Sequence, residues 1–386
     1  MKLKRFPIVG KKIYFILFFV ILFSLTLSAS LLDVYKSGEI KLVPDPNFGK
    51  GTDWDIYFPQ GIKDIAFAKD GSFFATGMGN KACHCIYKFD RSGKFVKKIG
   101  RKGRGPGDLY HPGALSILDN KYLLVAEYAT NRRISVFDLN GNFVKIIKTR
   151  DDVYDVVGLK NNKIAILTNK YGKSNKQFSD IYYMIIIKDL KNNNEKKIQE
   201  YRKREVYSPY IRFKFSGNVY MFKTKNNDLF LSFDDSNEYK IYSAMGVLLK
   251  KTNLKYRKRI INKKEKEKCK KSFILNIKKS VNEKFLLNLF NKNIDKVKYP
   301  KEGGYFDDVI VDSEYNILFL KRDTNCLAKE INVEVYNNEG ERKAKFKVIK
   351  KNNPEFFFSQ IKLYKNYIYY YDNNKRELIR EKIDKE

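Results

Sequence analysis

Residues 107–147 read GDLYHPGALSILDNKYLLVAEYATNRRISVFDLNGNFVKII, and this stretch decides the fold. Four apolar runs, each about five residues long, are separated by Gly, Asn or Asp, as short strands joined by turns are. The runs are 114–118, 122–126, 134–137 and 143–147. Asn140-Gly141 is a strong hairpin signal, because glycine adopts a positive φ without strain. The stretch therefore predicts a four-stranded antiparallel meander of about 40 residues, the size of one β-propeller blade.

The same rhythm of short strands recurs along the 386-residue chain and predicts five further blades, which begin near residues 61, 153, 218, 308 and 361. The last of them has only three strands before the chain ends, whereas the apolar run 39–43 has no partner near the start. Pairing that run with the last three strands closes a ring and removes two exposed sheet edges. The predicted fold class is all-β, a six-bladed β-propeller over residues 38–386.

One segment departs from this rhythm. Between residues 262 and 295 the apolar side chains recur every three or four positions, which is helical spacing. Six lysines open the segment. We predict an amphipathic helical insertion between blades four and five.

The first 32 residues have the pattern of an export signal. Five basic residues between Lys2 and Lys12 precede a charge-free run from residue 13 to residue 32. The run is long enough to span a bilayer if it is retained, and Ser28-Ala29-Ser30 offers small residues for cleavage. Residues 1–32 are therefore predicted to be a signal peptide or a membrane anchor. We expect an exported protein, periplasmic or anchored facing outside the cytoplasm, that contacts the membrane through this segment if it is uncleaved.

The four cysteines are too few and too scattered for a disulfide scaffold. Cys83 and Cys85 share one face of a predicted strand edge, but a metal site would need two more ligands. Free or loosely paired thiols are the preferred interpretation. No metal site, no cofactor and no catalytic set of residues is predicted.

The residues Gly100–Leu109, Pro112, Asn131–Ile134, Val136–Asp138 and Asn140-Gly141 together resemble an NHL repeat. The whole chain is similar to the exported bacterial six-bladed propeller proteins related to NHL-repeat proteins. This resemblance implies a signal or anchor and, in many members, no assigned activity. The chain departs from the usual repeat at Glu127, where Asp is commoner, and it lacks the lipid-attachment cysteine of many relatives. The glycine-rich stretch 100–107 is not a phosphate-binding loop, because no Gly-Lys-Ser/Thr follows it.

In a meander the strand connections alternate between two faces of the disc, and here the short ones fall on one face. The long segments 101–112, 170–181, 202–213, 322–331 and the insertion fall on the other, which we name the long-loop face. Binding residues concentrate on variable loops held by a rigid scaffold, so this is the predicted functional face. The candidate binding residues are Arg101, Lys102, Arg104, Tyr110, Arg132, Arg133, Arg202, Lys203 and Arg204.

The formal charge of +33 favours an acidic partner for this face: a protein, an anionic glycan or a lipid surface. No nucleic acid is expected, because an exported chain would rarely meet RNA. A generally basic, lysine-rich surface with no specific role is the competing interpretation. The residues favour a non-enzymatic binding or scaffold propeller. The alternative is a propeller hydrolase, lyase or metal-dependent enzyme whose site lies at the central channel, built from carboxylates.

Overall fold

The computed structural model of the protein describes residues 30–38, 40–79, 82–128, 131–174, 178–206, 218–258, 262, 263, 267, 304–322, 330–337, 339–349, 361–372 and 375–385. In these ranges the chain forms 24 strands and two short helices, and the strands make six four-stranded antiparallel sheets. The predicted all-β, six-bladed fold is confirmed. The predicted helical insertion and residues 1–29 of the predicted signal or anchor lie outside the described residues, apart from three isolated positions at 262, 263 and 267.

Each blade is a meander of consecutive strands, except that the last also takes in the first strand of the chain. Blade one comprises β2 (Ile62–Phe67), β3 (Phe73–Gly77), β4 (Ile86–Phe89) and β5 (Phe95–Ile99). Blade two comprises β6 (Pro112–Leu118), β7 (Tyr122–Glu127), β8 (Arg133–Asp138) and β9 (Phe143–Lys148). Blade three comprises β10 (Asp152–Gly158), β11 (Lys163–Ser174), β12 (Phe178–Asp189) and β13 (Glu195–Val206). Blade four comprises β14 (Val219–Lys223), β15 (Leu229–Phe233), β16 (Glu238–Tyr242) and β17 (Leu248–Asn253). Blade five comprises β18 (Asp308–Val311), β19 (Ile317–Arg322), β20 (Glu330–Tyr336) and β21 (Arg342–Ile349). Blade six comprises β22 (Lys362–Tyr364), β23 (Tyr367–Asp372), β24 (Glu377–Lys385) and β1 (Ile40–Pro44).

The first strands of neighbouring blades lie against one another around the centre, as β2 does with β6 and β6 with β10. The ring is closed by β1, which pairs antiparallel with β24 and sets Leu42 opposite Ile383. The predicted closure between the two ends of the chain is therefore confirmed. Pairing β1 here also covers the edge that β24 would otherwise expose.

The core lies between blades, so their strands are buried on both sides. Phe73 and Phe89 of blade one stack with ring centroids 5.1 Å apart, and Tyr369 of blade six packs into the same cluster. In β8 every residue before the last is buried. Continuous apolar runs are required for such strands, whereas a sheet with one wet face would show alternation.

A short helix, α1 (Leu31–Lys36), packs on the outer strand of blade five. Tyr35 stacks on Phe346 with ring centroids 5.4 Å apart, and its hydroxyl donates to the buried Asp312 carboxylate at 3.1 Å. Leu31, assigned by sequence to the end of the apolar segment, is buried in this cluster. The folded body therefore extends to the N-terminal side of residue 38. No helix in the described part of the chain has the length and apolarity to cross a membrane.

Blade three differs from the sequence prediction. The segments 170–181 and 202–213 were expected to be loops, but residues 170–174, 178–181 and 202–206 continue β11, β12 and β13. The strands pair over this extension, with Tyr171 opposite Ile181 and Asp180 opposite Arg204. Lys, Ser and Asn dilute the apolar alternation here, so the pattern does not show the strands. A second short helix, α2 (Trp54–Tyr57), precedes blade one.

Candidate functional site

The linker 100–111 carries the chain from β5, the outer strand of blade one, to β6, the inner strand of blade two. Gly100 has φ +75°, and an added Cβ there would lie 2.7 Å from the Leu109 side chain. Leu109 is fully buried, and its N–H donates to the Arg101 carbonyl at 2.7 Å. Gly100 therefore allows a tight connection between the two blades.

A buried ion pair fixes this linker to blade two. Glu127, at the end of β7, is fully buried, and Arg133 at the start of β8 donates to it through Nε at 2.7 Å. The same guanidinium donates to the carbonyls of Arg104 at 2.6 Å and Asp108 at 2.7 Å. Glu127 also accepts from the Tyr110 N–H at 2.9 Å. The pair thus satisfies two carbonyls and one N–H of the linker, as buried backbone groups require.

Four cations remain exposed around the clamped linker, and we name them the basic patch: Arg101, Lys102, Arg104 and Arg132. Arg101 is 84% exposed and pairs with Asp108 at 2.9 Å, and Arg132 pairs with Asp152 at 3.4 Å. The Arg104 guanidinium lies 5.3 Å from the centroid of the half-buried Tyr110 ring. Two of the four cations are therefore matched by carboxylates. Lys102 and Arg104 form no ion pair with another described residue.

Two of the predicted binding residues are buried. Arg133 is buried by its pair with Glu127, and Lys203 on β13 is also buried, so both offer little surface to a partner. Arg202 is exposed, but it lies on a strand and pairs with Asp180 at 2.6 Å. Arg204 lies on the same strand, but the structure does not describe its side chain. Arg202, Lys203 and Arg204 all lie on blade three, one blade away from the basic patch.

An aromatic and histidine cluster adjoins the patch. Cys83 and Cys85 form a disulfide with their Cα atoms 5.1 Å apart, so the expectation of free or loosely paired thiols is wrong for these two. The intervening His84 bonds the Tyr110 carbonyl through Nδ1. Its ring lies 5.4 Å from that of His111, which contacts Tyr128 at 5.7 Å. Burial, followed by the charges of Lys102 and His111, lowers the pKa of His84 and favours the neutral ring.

The inner strands place three aspartates at matching positions in alternate blades: Asp64 on β2, Asp155 on β10 and Asp308 on β18. In each, Oδ1 accepts the N–H of the following residue at 2.8–2.9 Å. Lys362 on β22 pairs with Asp64 at 2.7 Å, and the charges of Asp155 and Asp308 also stabilise its ammonium group. The centre of the ring therefore holds a lysine among three carboxylates.

A cavity of about 410 Å³ opens beside this lysine. Its lining includes Lys63, Asp155, Tyr154, Tyr183, Lys223 and Lys362. Burial, followed by the nearby Asp64 carboxylate, raises the pKa of Asp155 to about 7. Among the described residues, no group of three His, Cys, Asp or Glu side chains is placed to hold a metal ion.

Sequence reasoning missed the acidic partners Asp108, Asp152 and Asp180, and it missed Asp64 and Lys362 in the channel. The channel aspartates did leave a signal. In 64–65, 155–156 and 308–309, Asp is followed by Ile or Val at the same place in an inner strand. Aligning the inner strands of alternate blades would have shown it. No comparable signal joins Asp64 to Lys362, which are distant along the chain.

Six four-stranded antiparallel sheets arranged in a ring define a six-bladed β-propeller. The chain belongs to the DUF5128 family, described as 6-bladed beta-propeller, whose family model matches residues 60–302. Among curated proteins, no sequence matches it.

Solved structures share the fold at low identity. A member of the duf4221 family from Bacteroides vulgatus has 13% identity and a TM-score of 0.51, over 90% of this chain and 99% of that chain. A protein of unknown function from Bacteroides thetaiotaomicron has 7% identity and a TM-score of 0.45, over 91% and 73% of the two chains. Virginiamycin B lyase from Staphylococcus aureus has 10% identity and a TM-score of 0.36, over 89% and 88%. The first of these likenesses supports the fold, and none of them assigns an activity.

Proposed function

We propose that this protein is a non-enzymatic binding or scaffold propeller that recognises an acidic partner through its long-loop face. The partner class is an acidic protein, an anionic glycan or a lipid surface. The protein would act outside the cytoplasm, delivered by residues 1–32 and held at the membrane if that segment is retained. The observation that supports this proposal is the clamped linker, which presents the basic patch on a rigid support.

Rigidity matters because binding costs free energy for every side chain and loop that must be ordered. Here the Arg133 guanidinium already holds the Arg104 and Asp108 carbonyls, so the linker backbone has little freedom to lose. Arg104 rests on Tyr110, which restricts its side chain while leaving its charge exposed. With Lys102 it offers two cations that no described carboxylate neutralises.

The alternative of an enzyme at the central channel lacks a comparable supporting observation. Within the described residues, the channel carboxylates surround Lys362 instead of converging as metal ligands. We therefore put forward the binding function alone.

The test compares two charge-reversal variants of equal net charge. The first is Arg101→Glu/Arg104→Glu/Arg132→Glu on the basic patch. The matched control is Lys97→Glu/Lys98→Glu/Lys145→Glu, exposed positions on the outer strands β5 and β9. Retention on immobilised polygalacturonate and polyglutamate and on phosphatidylglycerol vesicles is measured at increasing salt, because bulk attraction between exposed charges is screened.

The proposal expects the patch variant to lose retention on at least one of the three surfaces at a salt concentration where the control still binds. Equal loss in both variants would show that only the overall positive charge attracts polyanions. Absence of retention on all three surfaces would also overturn the proposal.

A further inference from the structure

The mouth of the channel at blade three carries tyrosines that face open space. Tyr154 on β10 is 40% exposed and Tyr171 on β11 is 55% exposed, and their hydroxyls lie 3.3 Å apart. Tyr183 on β12 lines the cavity and meets Tyr154 edge-on, with ring centroids 6.1 Å apart. Tyrosine combines a large apolar face with a polar tip, so such a group suits a ligand that is partly apolar and partly hydroxylated.

Beside these rings lies a buried amide with unmet hydrogen-bonding capacity. Asn169 on β11 is 3% exposed, and neither its amide oxygen nor its amide nitrogen completes a hydrogen bond of good geometry within the described residues. Burial raises the pKa of Tyr154, and the side chain of Asn169 lowers it, which places this amide within reach of the tyrosine hydroxyl. Burying such groups unpaired costs free energy that a ligand's hydroxyls could recover.

The cavity behind the tyrosines is biased towards positive charge. Lys63 and Lys223 line it, and neither forms an ion pair within 4 Å among the described residues. Of the carboxylates that line it, Asp64 is matched by Lys362. Burial and the Asp64 charge raise the pKa of Asp155, against the opposing effects of Lys362, the Val156 N–H and Lys63. Burial lowers the pKa of Lys223, against the opposing effect of the Asp119 charge.

From these three observations together we propose that the channel mouth at blade three binds an acidic sugar, a uronate or sialate unit of a glycan. The C–H face of the pyranose ring packs on Tyr154 and Tyr171. Its hydroxyls exchange hydrogen bonds with the Asn169 amide, and its carboxylate lies towards Lys63. This inference rests on the proposed function, because it names the partner class and gives the long-loop face a defined pocket.

The test uses the whole protein on an immobilised panel of oligosaccharides that carry uronate, sialate or only neutral units. We expect binding to at least one uronate- or sialate-bearing glycan and weaker binding to its neutral counterpart. Tyr171→Ala should weaken that binding at least tenfold, whereas Tyr171→Phe keeps most of it. Leu249→Ala, at a position equally exposed on β17, is the matched control and should change nothing.

Lys63→Gln provides a second readout, because it should reduce the preference for acidic over neutral glycans without a loss of fold. The inference is overturned if no uronate- or sialate-bearing glycan is retained, if neutral glycans bind equally well, or if Tyr171→Ala behaves as Leu249→Ala does. The Arg101→Glu/Arg104→Glu/Arg132→Glu variant separates the two proposals. If it loses polyanion binding while Tyr171→Ala keeps full binding to acidic glycans, the proposed pocket is wrong and the proposal of a basic binding face is retained.

Discussion

Replacing Arg133 with Met should destabilise the protein far more than any change in the basic patch itself. The substitution keeps the apolar stem but removes the charge beside Glu127, which is fully buried. It also strips the Arg104 and Asp108 carbonyls of donors at 2.6 and 2.7 Å. Ser135 and Asn131 would still donate to the carboxylate at 2.6 and 2.7 Å. These donors reduce the destabilisation, but they cannot replace the positive charge of Arg133.

Removing one partner of a buried ion pair costs about 3–5 kcal/mol, a large share of a typical free energy of unfolding. For a chain of this length that corresponds to a fall of roughly 4–7 °C in the unfolding temperature. Thermal and urea unfolding monitored by circular dichroism measure it directly. Amide exchange of residues 101–110 should rise in the same variant, because the guanidinium no longer holds the linker.

Arg101→Met is the matched control, since its pair with Asp108 is exposed and no measurable change in unfolding is expected. Glu127→Gln should be costly alone, and less than additive when combined with Arg133→Met, because the two changes remove one interaction. Two results would show that the linker does not depend on this pair. One is that Arg133→Met and Arg101→Met unfold at the same temperature. The other is that the losses of stability caused by Arg133→Met and Glu127→Gln are fully additive.

Three further predictions follow from buried groups elsewhere. Leu109→Ala, at a fully buried linker residue, should cost about 2–5 kcal/mol in urea unfolding and loosen the basic patch; an unchanged midpoint would contradict its burial. Tyr35→Phe should cost about 1–2 kcal/mol, because Asp312 loses a donor at 3.1 Å; a variant as stable as wild type would argue against α1 packing on blade five. Asp155→Asn should gain in stability relative to wild type as the pH rises. The raised pKa of Asp155 means that the folded state binds its proton more tightly, so wild type loses this contribution between about pH 4 and pH 7. An equal stability difference at pH 5 and pH 8 would contradict this assignment.

The ring could be predicted from sequence because each of its elements has a recognisable local sequence pattern. Asn140-Gly141 indicates a hairpin, and the unpaired apolar run 39–43 together with three strands at the end leaves one simple closure. The extension of blade three could not be predicted, because Lys, Asn and Ser interrupt its apolar alternation. Strand pairing over many residues maintains β11 and β12 in spite of that weak local pattern.

The site was predictable only in outline. Arg132 and Arg133 are adjacent in sequence, yet Arg132 has φ +44° and stays exposed, whereas Arg133 begins β8 and is buried by Glu127. Charge alone cannot separate two such residues, because the difference is set by a carboxylate on another strand. Lys362 and Asp64 meet only because the ring brings blade six against blade one. The local spacing of residues along the sequence does not indicate that contact.

The most direct test of a binding role for the long-loop face is amide hydrogen exchange with and without the anionic probe that the protein retains most strongly. The account predicts added protection at residues 101–110 and 131–133, and none in that region for the Arg101→Glu/Arg104→Glu/Arg132→Glu variant. Protection confined to the outer strands, with the linker unchanged, would contradict it.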